Sequence, residues 1–232
     1  MAIPTDLSSI VVAIGGLGTA AFGLVDATKI GSNGGVSNAG FGFIQDAIRK
    51  LIPRADRSPS SSVGGGSLDV LDALHGNWIN GKPLADQKTI AKSLLKLQLS
   101  PATAADFAKA TGVDAATLSA VAASMTSGTA LTSAQSDVLG RFDLALTVIL
   151  DRGYQRADQK YRNASKVLAM VFAIVLAVLG GWSTAPSAGY FGSADMWTMI
   201  LFGVLATPFA PISKDLASAL SAAVKAAQIV RR

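Results

Sequence analysis

The stretch VLAMVFAIVLAVLGGW, residues 167–182, decides the fold of this 232-residue chain. It begins an uncharged run whose length and composition are typical of a membrane-spanning helix, which needs about 20 apolar residues. The next residues, STAPSAGYFG at 183–192, combine Ser, Pro and Gly and predict a turn. Another uncharged apolar run begins at Met196. We therefore expect residues 167–213 to form a transmembrane helical hairpin.

A further uncharged run, residues 7–25, predicts that residues 1–28 form the first of three spans. A secretory signal would have basic residues before a shorter apolar core, and no Lys or Arg precedes this run. Within it, Gly15, Thr19 and Gly23 recur at every fourth position. Small side chains at this spacing share one helix face and let another membrane helix approach closely. The pattern predicts a helix-packing face within or between subunits, with general Gly and Ala richness as the alternative explanation.

Composition and charge distribution agree with a membrane protein. Half of the residues are hydrophobic, only 15% are charged, and the mean hydropathy is +0.42, which excludes a disordered chain. All Lys and Arg residues lie in two blocks, 29–166 and 214–232. Because basic flanks remain on the cytoplasmic side, we expect both blocks inside and the N-terminus and hairpin loop outside a bacterial inner membrane.

Aromatic and basic residues predict where the chain meets lipid headgroups. Trp182 and Trp197 are expected at the outer interface, where indole rings are favoured, although core aromatics are the alternative. The basic residues expected at the inner interface are Arg49, Lys50, Arg152, Arg156, Lys160, Arg162 and Lys166. The positive-inside rule already accounts for the pI of 9.6. Membrane lipids, and not nucleic acid, are therefore the expected partners.

The chain between the first two spans predicts helical cytoplasmic structure. Residues 29–57 carry apolar side chains at helical spacing beside basic ones, which indicates an amphipathic helix on the membrane surface or one packed on a domain. Residues 58–67 have the composition of a flexible linker. Residues 68–131 predict a small helical domain. Residues 132–166 predict a stalk helix continuous with the second span, and 214–232 a final cytoplasmic helix.

Catalytic chemistry finds little support in the sequence. One His and no Cys remove the usual nucleophilic triads, thiol chemistry and most metal sites, so no cofactor or metal is predicted. The strongest enzyme hypothesis places Asp69, Asp72 and His75 on one helix face, with solvated surface as the alternative. We therefore expect a non-enzymatic scaffold or accessory subunit that forms a homo-oligomer or joins other membrane-protein subunits.

Two resemblances concern the chain from Phe142 onward. The pairs FD at 142–143 and DR at 151–152, the Tyr/Arg/Lys run before the second span, and ATPFAP…DL at 206–216 resemble uncharacterised bacterial multi-pass membrane proteins. That resemblance implies no particular activity. The three-span layout and the STAPSAGYFG segment are similar to stator-type proton-channel subunits of energy-coupling complexes. This second resemblance implies the alternative function, an oligomeric channel or stator-like ion-conducting subunit, although polar residues expected of a proton path are not matched.

Overall fold

The computed structural model describes residues 7–31, 34–52, 67–184 and 186–210, which are helical with short turns and contain no strand. The helices in these ranges are α1 Leu7–Gly31, α2 Asn38–Leu51, α3 Ser67–Ile79, α4 Leu84–Leu97, α5 Ala104–Thr111, α6 Ala115–Ser127, α7 Ser133–Thr184 and α8 Ala194–Ala210. The prediction of an all-α chain is confirmed. The predicted final helix at 214–232 and all but the last residue of the predicted linker at 58–67 lie outside the described residues.

The chain divides into two compact units. The apolar unit contains α1, the part of α7 from Arg162 onward, and α8. The charged unit comprises Ser37–Tyr161, with α2 to α6 and the first part of α7. It is larger than the domain expected at 68–131, because α2 and α7 supply part of its core. Helix α7 covers both the predicted stalk and the apolar stretch from Val167 without a break.

The core of the charged unit is built from large apolar side chains on five helices and α7. Its fully buried members include Ile44, Leu74, Leu95, Phe107, Leu118, Phe142, Leu146 and Leu150. The rings of Phe107 and Phe142 meet edge to face with centroids 5.7 Å apart. The indole of Trp78 is buried, and its Nε1 donates a hydrogen bond to the Ser37 carbonyl at 2.7 Å. This hydrogen bond joins α3 to the start of α2.

Helix α2, which was expected either on the membrane surface or packed on a domain, packs in the core of the charged unit. Ile44, Ile48 and Leu51 are buried in the core of the charged unit, where α3 and α5 contact α2. Close approach of α2 to α7 depends on Gly153, where an added Cβ would lie 2.7 Å from the Ala47 Cβ. The apolar stripe is therefore covered by protein. An amphipathic pattern reports that one face is removed from water, but not whether lipid or protein covers it.

Ion pairs join α4 to α7 on the surface of the charged unit. Lys88 pairs with Asp151 at 2.5 Å, and Lys92 pairs with Asp143 at 3.0 Å. Lys96 also pairs with Asp143. The three lysines recur at every fourth residue of α4, and the two aspartates lie eight residues apart on α7. One face of α4 is therefore positively charged, and the face of α7 that it contacts is negatively charged.

Candidate functional site

The apolar unit contains the helices long and apolar enough to cross a membrane by length and composition. Among the described residues these are Ile10–Lys29 within α1 and the apolar part of α7; α8 is apolar but shorter. Only 28% of the apolar window in α1 and 22% of that in α7 are buried. The core helix of a water-soluble protein would instead be mostly buried. The surface of this unit is thus the candidate functional site.

Helix α7 packs in the apolar unit through small residues. Ala169, Ala173 and Ala177 are buried at every fourth position, and Gly181 continues this face beneath the ring of Tyr190. The opposite face consists of larger side chains that are 47–63% exposed: Val167, Val171, Val175 and Leu179. Single exposed apolar side chains are ordinary in water-soluble proteins, but a continuous row of them marks a surface that meets lipid or another protein. Small residues inside and large apolar residues outside are the arrangement that membrane helices use for close packing in lipid.

Helix α8 packs closely against both α7 and α1. A Cβ added to Gly203 would lie 2.8 Å from the backbone nitrogen of Ile174 in α7, so the two backbones almost touch. A Cβ added to Gly18 of α1 would overlap the Ala206 carbonyl and lie 2.9 Å from the Ala210 Cβ. Glycine at 18 and 203 is therefore required for α8 to contact both neighbours.

The predicted packing face of α1 is only partly buried within the chain. Gly15 is buried, but Thr19 and Gly23 are exposed, and a Cβ added to Gly23 would meet nothing within 4 Å. The Thr19 hydroxyl donates to the Gly15 carbonyl at 2.9 Å. The buried face instead contains Ile14, Gly18, Ala21 and Val25. It lies beside the predicted face because Gly18 is the position at which α8 approaches.

The turn between α7 and α8 is closed by aromatic side chains. Tyr190 is buried and its hydroxyl donates to the Val178 carbonyl at 3.2 Å. The rings of Trp182 and Phe191 have centroids 6.1 Å apart. Trp182, Phe191 and Trp197 remain exposed at this end of the unit. The predicted indole pair is therefore available to an interface and is not part of the core.

The predicted basic interface residues are all exposed, but they fall in both units. Arg162 and Lys166 belong to the apolar unit. Those in the charged unit are Arg49, Lys50, Arg152, Arg156 and Lys160. The burial of the apolar face of α2 removes the reason for which Arg49 and Lys50 were expected at the membrane surface.

His75 makes contacts that differ from a catalytic dyad. Its Nε2 lies 2.9 Å from Oδ1 of Asn38, a hydrogen bond between α3 and α2, and its ring contacts the tilted ring of Phe41 with centroids 4.5 Å apart. The Asp72 side chain is exposed to solvent. Across the described ranges, no cluster of three His, Cys, Asp or Glu residues could hold a metal ion. The contacts of His75 join two helices.

Asp143 and Tyr154, which both contact other helices of the charged unit, have shifted pKa values. The hydrogen bond from Lys96, assisted by Lys92, lowers the pKa of Asp143 below its ordinary value. Burial raises the pKa of Tyr154 because the phenolate would lose its hydration. Within the described structure, the Tyr154 hydroxyl has no hydrogen-bond partner. Both groups lie before the apolar part of α7 and serve packing.

Comparison of the chain with protein-family models, curated proteins and solved structures finds no match. The packing of the apolar unit is therefore the observation that bears on function. The most informative residues there, Ala169, Ala173, Ala177 and Gly181, were not singled out from the sequence. The sequence does contain a pattern that could have identified them. Small residues recur at every fourth position, and Val167, Val171 and Val175 recur with the same period on the opposite face.

Proposed function

We propose that the chain is an integral membrane protein with three spanning helices, namely α1, the apolar part of α7, and α8. The observation that carries this proposal is the outward exposure of valine, leucine and tryptophan around a core that consists mainly of alanine and glycine, with Ile14 and Val25. An apolar surface of this kind is stable in lipid or against other membrane subunits, and it promotes aggregation in water. The proposed membrane is the bacterial inner membrane, with the charged unit on the cytoplasmic side because its flanks are basic.

Within that membrane, we propose a non-enzymatic role as a scaffold or accessory subunit. Thr19 and Gly23 lie exposed on α1, and both are small enough for a helix of another subunit to approach closely. The proposed partners are a second copy of the chain or other membrane proteins. A channel is less well supported, because the apolar stretches 7–25, 167–194 and 196–213 contain no Asp, Lys, Arg or His that a proton path would use.

The absence of cysteine permits a direct test of topology. Single cysteines would replace Ser187, between α7 and α8, and Ala130, before α7, both of which are exposed. With a membrane-impermeant maleimide, we expect the cysteine at 187 to react in intact cells and the one at 130 only after lysis. Reaction of both from the same side would contradict a span in α7. Release of the protein by alkaline carbonate would contradict membrane insertion.

Association is tested separately by native mass spectrometry of the gently solubilised protein. We expect a homo-oligomer or a defined complex with other membrane proteins. Leucine in place of Gly23 should weaken that complex, whereas leucine at Gly42, an open position in the charged unit, should leave it intact. A monomer without any co-purified protein would contradict the scaffold role and leave the topology result unaffected.

A further inference from the structure

Helices α2, α5 and α7 of the charged unit enclose a pocket of about 660 Å³. Its apolar part is formed by Phe43 and Ala47 of α2, Ala110 of α5, and Ile149 of α7. Gly153 of α7 lies between them, and an added Cβ there would lie 3.3 Å from the Phe43 carbonyl oxygen. The close packing at Gly153 fixes α2 against α7. The pocket volume falls within the range of small-molecule sites, about 300–1,000 Å³.

Four basic side chains line this pocket from three different helices: Lys50, Lys109, Arg152 and Arg156. The two acidic residues in the lining are Asp46 and Asp106, so four positive and two negative charges leave a formal charge of +2. The three ion pairs that join α4 to α7 use Lys88, Lys92 and Lys96 and none of these four cations. The pocket cations are therefore available to a ligand.

The arrangement suits a phosphate group in particular. Arg152 and Arg156 lie one turn apart on α7 and flank Gly153, so both guanidinium groups can reach the same side of the pocket. Guanidinium forks bind phosphate oxygens in pairs, and lysines supply further charge. A concave surface lined by one sign of charge also concentrates ions of the opposite sign. The apolar floor can contact the carbon part of the same ligand.

We propose that this pocket binds an organic phosphate, with its phosphate on Arg152, Arg156, Lys50 and Lys109 and its carbon part on Phe43 and Ile149. The phosphate can belong to a phospholipid headgroup or to a soluble metabolite. The pocket is formed entirely within the charged unit. It therefore goes beyond the proposed function and does not depend on the number of spans or on the oligomeric state.

The test uses the full chain in neutral detergent and isothermal titration calorimetry. The probes are short-chain phosphatidylglycerol, glycerol 3-phosphate and, as the uncharged comparison, a short-chain diacylglycerol. We expect saturable binding of a phosphate probe, weakened about tenfold for each of Arg152→Gln and Arg156→Gln, since a hydrogen bond to a charged group contributes on this scale. Arg141→Gln, an exposed arginine of α7 outside the pocket, is the matched control and should bind like the unmodified chain.

The two sources of phosphate give different results. Binding of phosphatidylglycerol without competition from glycerol 3-phosphate would assign the pocket to a lipid headgroup, and competition would assign it to a soluble phosphate. Equal weakening by Arg141→Gln, saturable binding of diacylglycerol alone, or no saturable binding would overturn the proposal. Because Arg152 and Arg156 are exposed, their variants should retain the helical circular dichroism of the unmodified chain. A failed topology experiment would leave these measurements interpretable.

Discussion

The charged unit places most of its large apolar side chains in or against its core, with exposed exceptions such as Leu97, Leu144 and Val148, whereas the apolar unit leaves a continuous row of them exposed along α7. Phe107 and Phe142 are fully buried in the first, while Val171, Val175 and Leu179 are about half-exposed in the second. The two cores also differ in side-chain size. The core of the charged unit contains Ile, Leu and Phe, whereas the core of the apolar unit contains mainly Ala, with Ile and Val. One chain therefore follows two packing rules. Under the proposed membrane location, the difference follows from two solvents, water around the charged unit and lipid around the apolar unit.

The largest expected effect comes from shortening a large side chain in each unit. Phe142→Ala should destabilise the charged unit by about 3–5 kcal/mol, because it leaves a cavity beside Phe107. Val171→Ala should cost less than about 1 kcal/mol, because this side chain faces outward and its burial in lipid does not require folding. Thermal unfolding in mild detergent measures both. Equal losses would show that Val171 is buried against protein and would remove the contrast between the units.

The next effect concerns glycine in the apolar unit. Gly18→Ala should destabilise it by about 1–3 kcal/mol, because the new methyl group would overlap the Ala206 carbonyl and force α8 away. Gly16→Ala is the control on the same helix, since nothing lies within 4 Å of its added Cβ. The control should be neutral or slightly stabilising, because alanine favours helix over glycine. Retention of monodisperse protein after heating measures both variants, and equal retention would contradict the α1–α8 contact.

The sequence predicted the helical class, the turn after Trp182 and the long unbroken α7. These features depend on local composition and on the absence of proline between Ser133 and Trp182. The surface against which the apolar face of α2 packs could not be predicted from local composition. Its apolar stripe is compatible with lipid or protein as a cover, and only contacts with distant residues such as Phe107 distinguish them.

The packing face of α1 shows a second reason why some contacts could not be predicted from the sequence. In a helix rich in Gly and Ala, several faces have small residues at four-residue spacing, including one with Gly15 and another with Gly18. The choice between them depends on where α8 lies, which local sequence does not determine. The basic pocket depends in the same way on three helices separated along the chain. Its residues Lys50, Lys109 and Arg152 become one site only after folding.

A smaller effect tests the quality of the charged-unit core. Tyr154→Phe should stabilise this unit by about 1 kcal/mol, because it removes a buried hydroxyl that has no partner in the described structure. Chemical unfolding can be followed by the fluorescence of Trp78 in a chain that also carries Trp182→Phe and Trp197→Phe. Trp78 is then the only tryptophan, so the signal reports on this unit alone. Tyr190→Phe is the control, since that hydroxyl donates to the Val178 carbonyl in the apolar unit and its removal should not stabilise the charged unit. Destabilisation by Tyr154→Phe would mean that the hydroxyl is satisfied in solution.

The smallest effect is the pH dependence of the ion pairs between α4 and α7. The pKa of Asp143 is lower in the folded chain than in the unfolded chain, chiefly because of its hydrogen bond from Lys96. Its contribution to stability is therefore complete above the unfolded pKa of about 3.9 and is lost as the pH falls through the folded value. Asp143→Asn should lower the unfolding free energy by less than about 1 kcal/mol at pH 7, since the pair is partly exposed, and the difference from the unmodified chain should vanish once the pH is below the folded pKa. The same Trp78 signal measures this difference. A difference that persists at low pH would assign the loss to packing of the Asn side chain and not to charge, and high salt, which screens ion pairs, would then leave it unchanged.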